Sequence, residues 1–241
     1  MANDPDSDRF AAAEKQENGE WKIFTGNELG ILFGNWTWQN YKKRNPDVDP
    51  STCAVFNTTV SSKMLKSLAE VEGLYYEETL TGFKWLGTLA QKKMDEGMNF
   101  LFCFEEAIGY LIFDICLDKD GVRTAGMFAE MVNQLYDNGN TVSGLLNELY
   151  EKYGYFASNN RYFFCYSPPK MAKIFARMRT MGPDGGYVQA CGDFKISGIR
   201  DLTTGYDSTQ PDNKAILPVS SSSQMITFYF ANGGVVTLRG R

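Results

Sequence analysis

Asn99-Phe100-Leu101-Phe102-Cys103-Phe104-Glu105-Glu106 is the stretch that decides the fold. Residues 99–104 form a continuous apolar run of strand length. A run without polar alternation predicts a strand buried on both faces, the habit of a parallel sheet. Upstream, Ala54-Val55-Phe56 and Thr58-Thr59-Val60 read as another strand. Ser61 or Ser62 then caps a helix with Met64, Leu65, Leu68 and Ala69 on one face. Residues 75–79 form a short strand, and Thr81-Gly82-Phe83-Lys84-Trp85 is a loop leading into a helix over 86–94. Downstream, Asp118-Lys119-Asp120-Gly121 is a turn before a helix with Ala125, Phe128, Met131, Val132 and Leu135 in register. Thr141 starts one more helix, ending near Tyr150. Alternation of strands and helices predicts an α/β layer with a mixed or parallel sheet.

The flanks differ. Residues 10–14 read as a short strand, Asn18-Gly19 as a turn, and Trp21-Lys22-Ile23-Phe24 as a second strand. Thr25 and Glu28 fit a capping box ahead of the helically spaced Leu29, Leu32, Phe33 and Trp36. Asn45-Pro46-Asp47-Val48-Asp49-Pro50 is polar and rigid, and a domain boundary is placed there. Towards the C-terminus, Ser167-Pro168 opens a helix with Met171, Ile174, Phe175 and Met178 as its apolar stripe. Ile226, Phe228 and Phe230 alternate along a strand, and Asn232-Gly233-Gly234 turns it into a second over 235–238. This last segment is α+β, a helix laid on an antiparallel sheet.

Composition excludes whole classes of function. The chain has 241 residues, 24 Lys+Arg, 29 Asp+Glu and a net charge of -5. Hydrophobic residues make up 43% and charged ones 22%, so disorder is not the main state. The acidic balance, with no Lys/Arg run, argues against nucleic acid as a partner. There is no His, so no Ser-His-Asp triad, Cys-His pair or His-ligated zinc site can be built from these residues. Proton transfer falls to Asp, Glu, Lys, Tyr or Cys. Five cysteines without C-x-x-C spacing read as reduced, mostly buried thiols. The apolar stretches 100–104 and 107–113 are interrupted by Glu105 and Glu106, far short of the ~20 residues a membrane span needs. The expectation is a soluble cytoplasmic protein with no membrane partner.

Three stretches carry candidate chemistry. Asp4-Pro5-Asp6-Ser7-Asp8-Arg9 places carboxylates at alternate positions, which converge on a hard cation if the loop curls. The alternative is a solvated acidic terminus. An EF-hand is excluded, since its Gly and Glu positions hold Arg9 and Lys15. Glu105 and Glu106 follow directly on the buried strand, where α/β folds place ligands and where carboxylates accept hydrogen bonds from sugar hydroxyls. They also suit the first turn of a helix. Gly82 and Lys84 form a glycine loop with one cation able to reach a phosphate. Arg200-Asp201-Leu202-Thr203-Thr204-Gly205-Tyr206-Asp207 is polar and receives no role from its chemistry.

Taken together and in this order, these stretches resemble the α-D-phosphohexomutase superfamily. Residues 4–9 resemble its D-P-D-x-D-R magnesium loop, 81–85 its T-G-F-K loop, and 104–110 its sugar-recognition loop. The runs 78–85, 104–110 and 199–207 are similar to the phosphopentomutase/phosphoglucomutase-2 branch, which includes glucose-1,6-bisphosphate synthase. The resemblance implies a phosphohexomutase-type mixed α/β domain followed by part of an α+β C-terminal domain. Residues 1–48 would be the end of the family's second domain, 49–156 the third, and 157–241 the start of the fourth. It implies an intramolecular phosphotransferase acting on sugar phosphates, such as glucose 1-phosphate or ribose 1-phosphate. A phosphoserine and a sugar bisphosphate intermediate would take part. Asp4, Asp6 and Asp8 would hold Mg²⁺, and Arg9 would sit beside the transferring phosphoryl group. Glu105 would hold sugar hydroxyls with Glu106 nearby, and Gly82 and Lys84 would contact substrate, Lys84 also aiding proton transfer.

The departures shape the expectation. The family's phosphoserine motif, T-A-S-H-N-P, contains a His and is therefore not in this chain. Of the distal phosphate loop R-T-S-G-T-E-P, Arg239 alone has a counterpart. Ala107 stands where many relatives have Ser. The chain therefore reads as an internal piece of a mutase, inactive alone. The competing reading is a short, non-catalytic binder of sugar phosphates or of a partner protein.

Overall fold

The computed structural model describes residues 1–240, and Arg241 lies outside the described residues. The chain divides into two compact units, Met1–Asn159 and Asn160–Arg241. The break expected at 45–50 is instead a connection inside the first unit, because the helix before it is buried against the sheet that follows.

The first unit opens with two small antiparallel ribbons. Strand β1 (Ala2–Asn3) pairs with β2 (Phe10–Ala11), and β3 (Ala13–Lys15) with β4 (Trp21–Ile23). Helix α1 (Gly26–Arg44) carries the capping box its sequence predicts: the Glu28 N–H donates to Thr25 Oγ1 at 3.2 Å, and the Thr25 N–H to Glu28 Oε2 at 2.7 Å. Then come β5 (Cys53–Thr58), α2 (Met64–Glu72), β6 (Tyr75–Thr79), α3 (Phe83–Asp95), β7 (Asn99–Glu105), β8 (Gly109–Ile112), α4 (Gly121–Asp137) and α5 (Val142–Tyr153). The sheet order is β6-β5-β7-β8, with the first three strands parallel and β8 antiparallel to β7.

Pleating sends alternate residues of β5 to opposite faces. Val55 joins Leu29, Leu32, Phe33, Leu65, Leu68 and Phe104 in one core, while Ala54 and Phe56 join Phe83, Leu86, Ala90 and Phe100 in the other. A register shift opposite Ala54/Val55 makes room for Leu101 in β7. Helices thus cover both faces, as the apolar run at 99–104 requires.

Local readings shift in three places. Lys63 holds the N-cap position of α2 without a side-chain bond; the Met64 N–H donates to Ser62 Oγ at 3.3 Å, while Ser61 Oγ meets Thr58 and Glu106. Helix α3 begins at Phe83, so Lys84 lies in its first turn rather than in a loop. Glu105 and Glu106 enter a β-hairpin, not a helix.

In the second unit, α6 (Pro168–Thr180) lies against an antiparallel sheet of β9 (Ala190–Cys191), β10 (Phe194–Asp201), β11 (Tyr206–Asp207), β12 (Gln224–Phe230) and β13 (Val235–Gly240). The order is β11-β10-β12-β13, with β9 also on β10. Phe175, Ile196, Ile199, Ile226 and Phe228 form its core. This is the α+β build expected from the sequence. Of the five free cysteines, Cys53 and Cys103 are buried, fewer than expected. Among the described residues, no helix is long and apolar enough to cross a membrane.

Candidate functional site

The acidic loop curls because Ser7 adopts a left-handed conformation, φ 59°. The Ser7 N–H donates to the Asp4 carbonyl at 2.9 Å, and the Arg9 N–H to Asp4 Oδ1 at 3.1 Å. The loop is tied from three sides. The Phe10 N–H reaches the Ile108 carbonyl at 3.1 Å, the Gly121 N–H the Ser7 carbonyl at 3.2 Å, and Asn3 Nδ2 the Arg9 carbonyl at 2.6 Å. Phe10 is fully buried, with its ring 5.3 Å from that of Phe128 and 5.9 Å from that of Phe33. Gly121 is needed for close approach, since a Cβ there would lie 2.3 Å from the Arg9 carbonyl oxygen.

The curl brings carboxylate oxygens of Asp4, Asp6 and Asp8 within 4.8 Å of one another. Arg9 Nε lies 3.2 Å from Asp4 and 3.6 Å from Asp8, and Lys119 pairs with the other oxygen of Asp8. Partial desolvation pushes the Asp4 carboxyl up, but the Arg9 N–H and guanidinium outweigh it and hold the group below the ordinary carboxylate range. The hydrogen bond to Asp8 raises Lys119 above the ordinary lysine value. Asp8 Oδ1 is shielded from solvent and has no hydrogen-bond partner. Carboxylate oxygens gathered this closely, one lacking a donor, suit a hard divalent cation.

Glu105 ends β7, half-buried, and pairs across the hairpin with Gly109. The turn passes through Ile108, whose φ is 60°. Helix α1 presses on it: a Cβ on Gly26 would stand 2.0 Å from the Glu106 carbonyl oxygen. The Glu106 carboxylate is held from the end of β5. Thr58 Oγ1 and Ser61 Oγ each lie 3.2 Å from its Oε2, the two hydroxyls are 2.7 Å apart, and the Glu106 N–H donates to Ser61 Oγ at 3.1 Å.

Gly82 precedes α3 with φ 110°, open to glycine but strained for other residues. The buried Phe83 ring packs where a Cβ on Gly109 would be, 2.7 Å away. Lys84 is exposed, with Nζ 5.2 Å from the Trp85 ring centre.

The structure therefore joins the acidic loop to the hairpin through Phe10 and Ile108, and the hairpin to α3 through Gly109 and Phe83. Lys84 stands at the margin of this set. Sequence reasoning missed Thr58, Ser61 and Lys119. The local signal at Ser61 reads as a helix cap, and nothing local marks the other two.

Comparison with known proteins gives three findings. Residues 25–153 match the family model "Phosphoglucomutase/phosphomannomutase, alpha/beta/alpha domain III", so α1 falls inside the match and the acidic loop ahead of it. The chain is 50% identical over 240 residues to Homo sapiens phosphopentomutase, and 51% identical over 242 residues to Homo sapiens glucose 1,6-bisphosphate synthase. Each alignment covers 99% of this chain and 39% of the relative, so the chain spans about two fifths of these relatives' length. The fold is similar to a crystal structure of a Thermus thermophilus protein assigned to the phosphomannomutases, with a TM-score of 0.54 and 17% identity over 98% of this chain and 40% of the other.

Proposed function

The chain belongs to the phosphoglucomutase/phosphomannomutase family, and from that premise we propose that its first unit supplies the cation and sugar-recognition parts of a sugar-phosphate mutase. One observation carries the reading: the acidic loop, the Glu105–Glu106 hairpin and the start of α3 are bonded or packed to one another at the carboxyl ends of parallel strands. That is where α/β sheets take ligands.

Asp4, Asp6 and Asp8 hold Mg²⁺, which when bound neutralises charge on a phosphoryl group. Arg9 stands beside that group and offers a planar, permanent cation to its oxygens. Glu105 accepts hydrogen bonds from sugar hydroxyls at the end of β7. Glu106, held by Thr58 and Ser61, keeps the turn in place beside it. Gly82 lets the chain approach the substrate closely, and Lys84 reaches it from the first turn of α3. The substrates are pentose or hexose phosphates, with a sugar bisphosphate taking part; the relatives' names, phosphopentomutase and glucose 1,6-bisphosphate synthase, support the pentose and the bisphosphate. The phosphoserine donor lies outside these residues, so the 241-residue chain alone does not turn substrate over. The same reading gives residues 157–241 to the start of the family's fourth domain. The stretch ahead of residue 25 falls to the end of the second, and the third begins with the matched α1 rather than at 49.

Titration calorimetry with Mg²⁺ tests the metal assignment. The exposed Asp6 can be changed without disturbing the core. Asp6→Asn is expected to weaken binding about tenfold or more, through loss of an anionic ligand. Mg²⁺ heats that are absent, or unchanged in Asp6→Asn, contradict the assignment.

A further inference from the structure

We propose that Lys119 is a tethered counter-ion of the acidic loop, holding Asp8 in the absence of a divalent cation and yielding that carboxylate when one binds. The inference rests on the metal reading above and extends it to a residue outside the carboxylate set.

Lys119 touches all three parts of the site. Its ammonium pairs with Asp8. Its Nζ lies 5.8 Å from the centre of the Phe83 ring, at the start of α3. Its Cδ passes 3.0 Å from where a Cβ on Gly109 would sit, at the start of β8. The stem is thus confined between the hairpin and α3, and the charged tip reaches the acidic loop. Its neighbour Asp120 caps α4 through the Arg123 N–H at 2.9 Å, which fixes the turn that delivers the lysine.

Charge balance sets the direction. Asp4, Asp6, Asp8 and the neighbouring Asp118, whose charge Lys119 also feels, outnumber the two cations Arg9 and Lys119, which leaves the cluster net negative. A bound dication cancels that excess, so the pull on a cation already in the cluster weakens. Arg9 faces both Asp4 and Asp8, and its own N–H is bonded within the loop. Lys119 reaches in from another element, through a single ion pair. Lys119 is therefore the one that leaves. Asp8 then offers the oxygen Lys119 held, beside the shielded Oδ1, which makes no hydrogen bond and faces Arg9 Nε at 3.6 Å.

The test is Mg²⁺ calorimetry on the wild-type chain, Lys119→Met and Lys119→Arg, with thermal unfolding as the folding control. Met keeps an apolar stem against Phe83 and removes the charge. Lys119→Met is expected to bind Mg²⁺ roughly fivefold more tightly at low salt, with the gain shrinking as salt rises. Lys119→Arg keeps the charge and pairs with a carboxylate at least as well, so it shows no gain over wild type. In the wild type, the Lys119 side-chain NMR signals move as Mg²⁺ is added. Unchanged or weaker binding by Lys119→Met overturns the inference, and weaker binding shows that Lys119 holds Asp8 in place for the metal. If the wild type binds no Mg²⁺, or Asp6→Asn binds as well as wild type, the metal assignment falls and the counter-ion role with it. The two failures are therefore distinct.

Discussion

Asp201→Ala costs the second unit about 3–5 kcal/mol, the range for breaking a buried ion pair from one side. Asp201 is fully buried. Its Oδ2 accepts from Arg179 Nε at 2.5 Å and from the Tyr187 hydroxyl at 2.8 Å. Its Oδ1 accepts from Arg179 Nη2 at 3.2 Å and from the N–H groups of Thr203 at 2.9 Å and Thr204 at 3.3 Å. One carboxylate thus ties α6 to the end of β10 and shapes the turn into β11. Alanine leaves two turn N–H groups without their acceptor and a largely buried guanidinium with only Gln224 Oε1, 2.9 Å from Nη2. Burial pushes the Asp201 carboxyl up, but Arg179, Tyr187 and the Thr203 N–H together hold it below 3.8. Its contribution is therefore full above that value and is lost as pH falls through the lower folded one. Hydrogen exchange at β10 and β12 amides measures the effect, with protection falling at neutral pH in the variant. Unchanged protection contradicts it.

Glu14→Ala is expected to cost the first unit about 2–4 kcal/mol, from stranded donors at a helix start. Glu14 is buried although charged. It accepts from the Val142 N–H at 2.7 Å, the Ser143 N–H at 2.9 Å and the Tyr136 hydroxyl at 3.1 Å. It is a second cap on α5, supplied from β3, and it sits at the positive end of that helix. Burial raises the carboxyl, but the bonds from Ser143, Val142 and Tyr136 outweigh it and lower it below 4.5. The folded value lies below the unfolded one, so the stabilisation is present above the unfolded value of 4.5 and lost as pH falls through the folded value. Urea unfolding at neutral pH and at a pH below the folded value checks this. The gap between wild type and Glu14→Ala is wide at the first and narrow at the second, and a constant gap contradicts it.

These two carboxylates show where sequence reading stops. Short-range signals were legible. The Thr25/Glu28 capping box, the buried strand at 99–104 and the Asn232-Gly233-Gly234 turn each act within a few residues. The three aspartates were legible as candidate ligands because their alternation is itself local. Glu14 meets Val142 and Asp201 meets Arg179 only after folding, and no periodicity marks either. The Arg200–Asp207 stretch is polar and its chemistry assigns it no role, yet its Asp201 is an internal tie. Glu105 and Glu106 suited a helix start, because carboxylates favour that end. The hairpin instead turns through Ile108, a residue that rarely takes a positive φ, so the usual Gly or Asn signal is missing. The boundary placed at 45–50 followed the prolines and aspartates. It missed that α1 is buried almost all round from Leu29 to Trp38 and so belongs to the sheet that follows.

The acidic loop, the start of α3 and the hairpin are proposed to form one sugar-phosphate surface. Amide chemical-shift mapping tests it most directly, with glucose 1-phosphate or ribose 1-phosphate added to the Mg²⁺-loaded chain. Saturable shifts are expected at residues 4–9, 82–85 and 105–109, moving together along one binding curve. Saturable shifts elsewhere with these three stretches unmoved, or no saturable shift at all, contradict it.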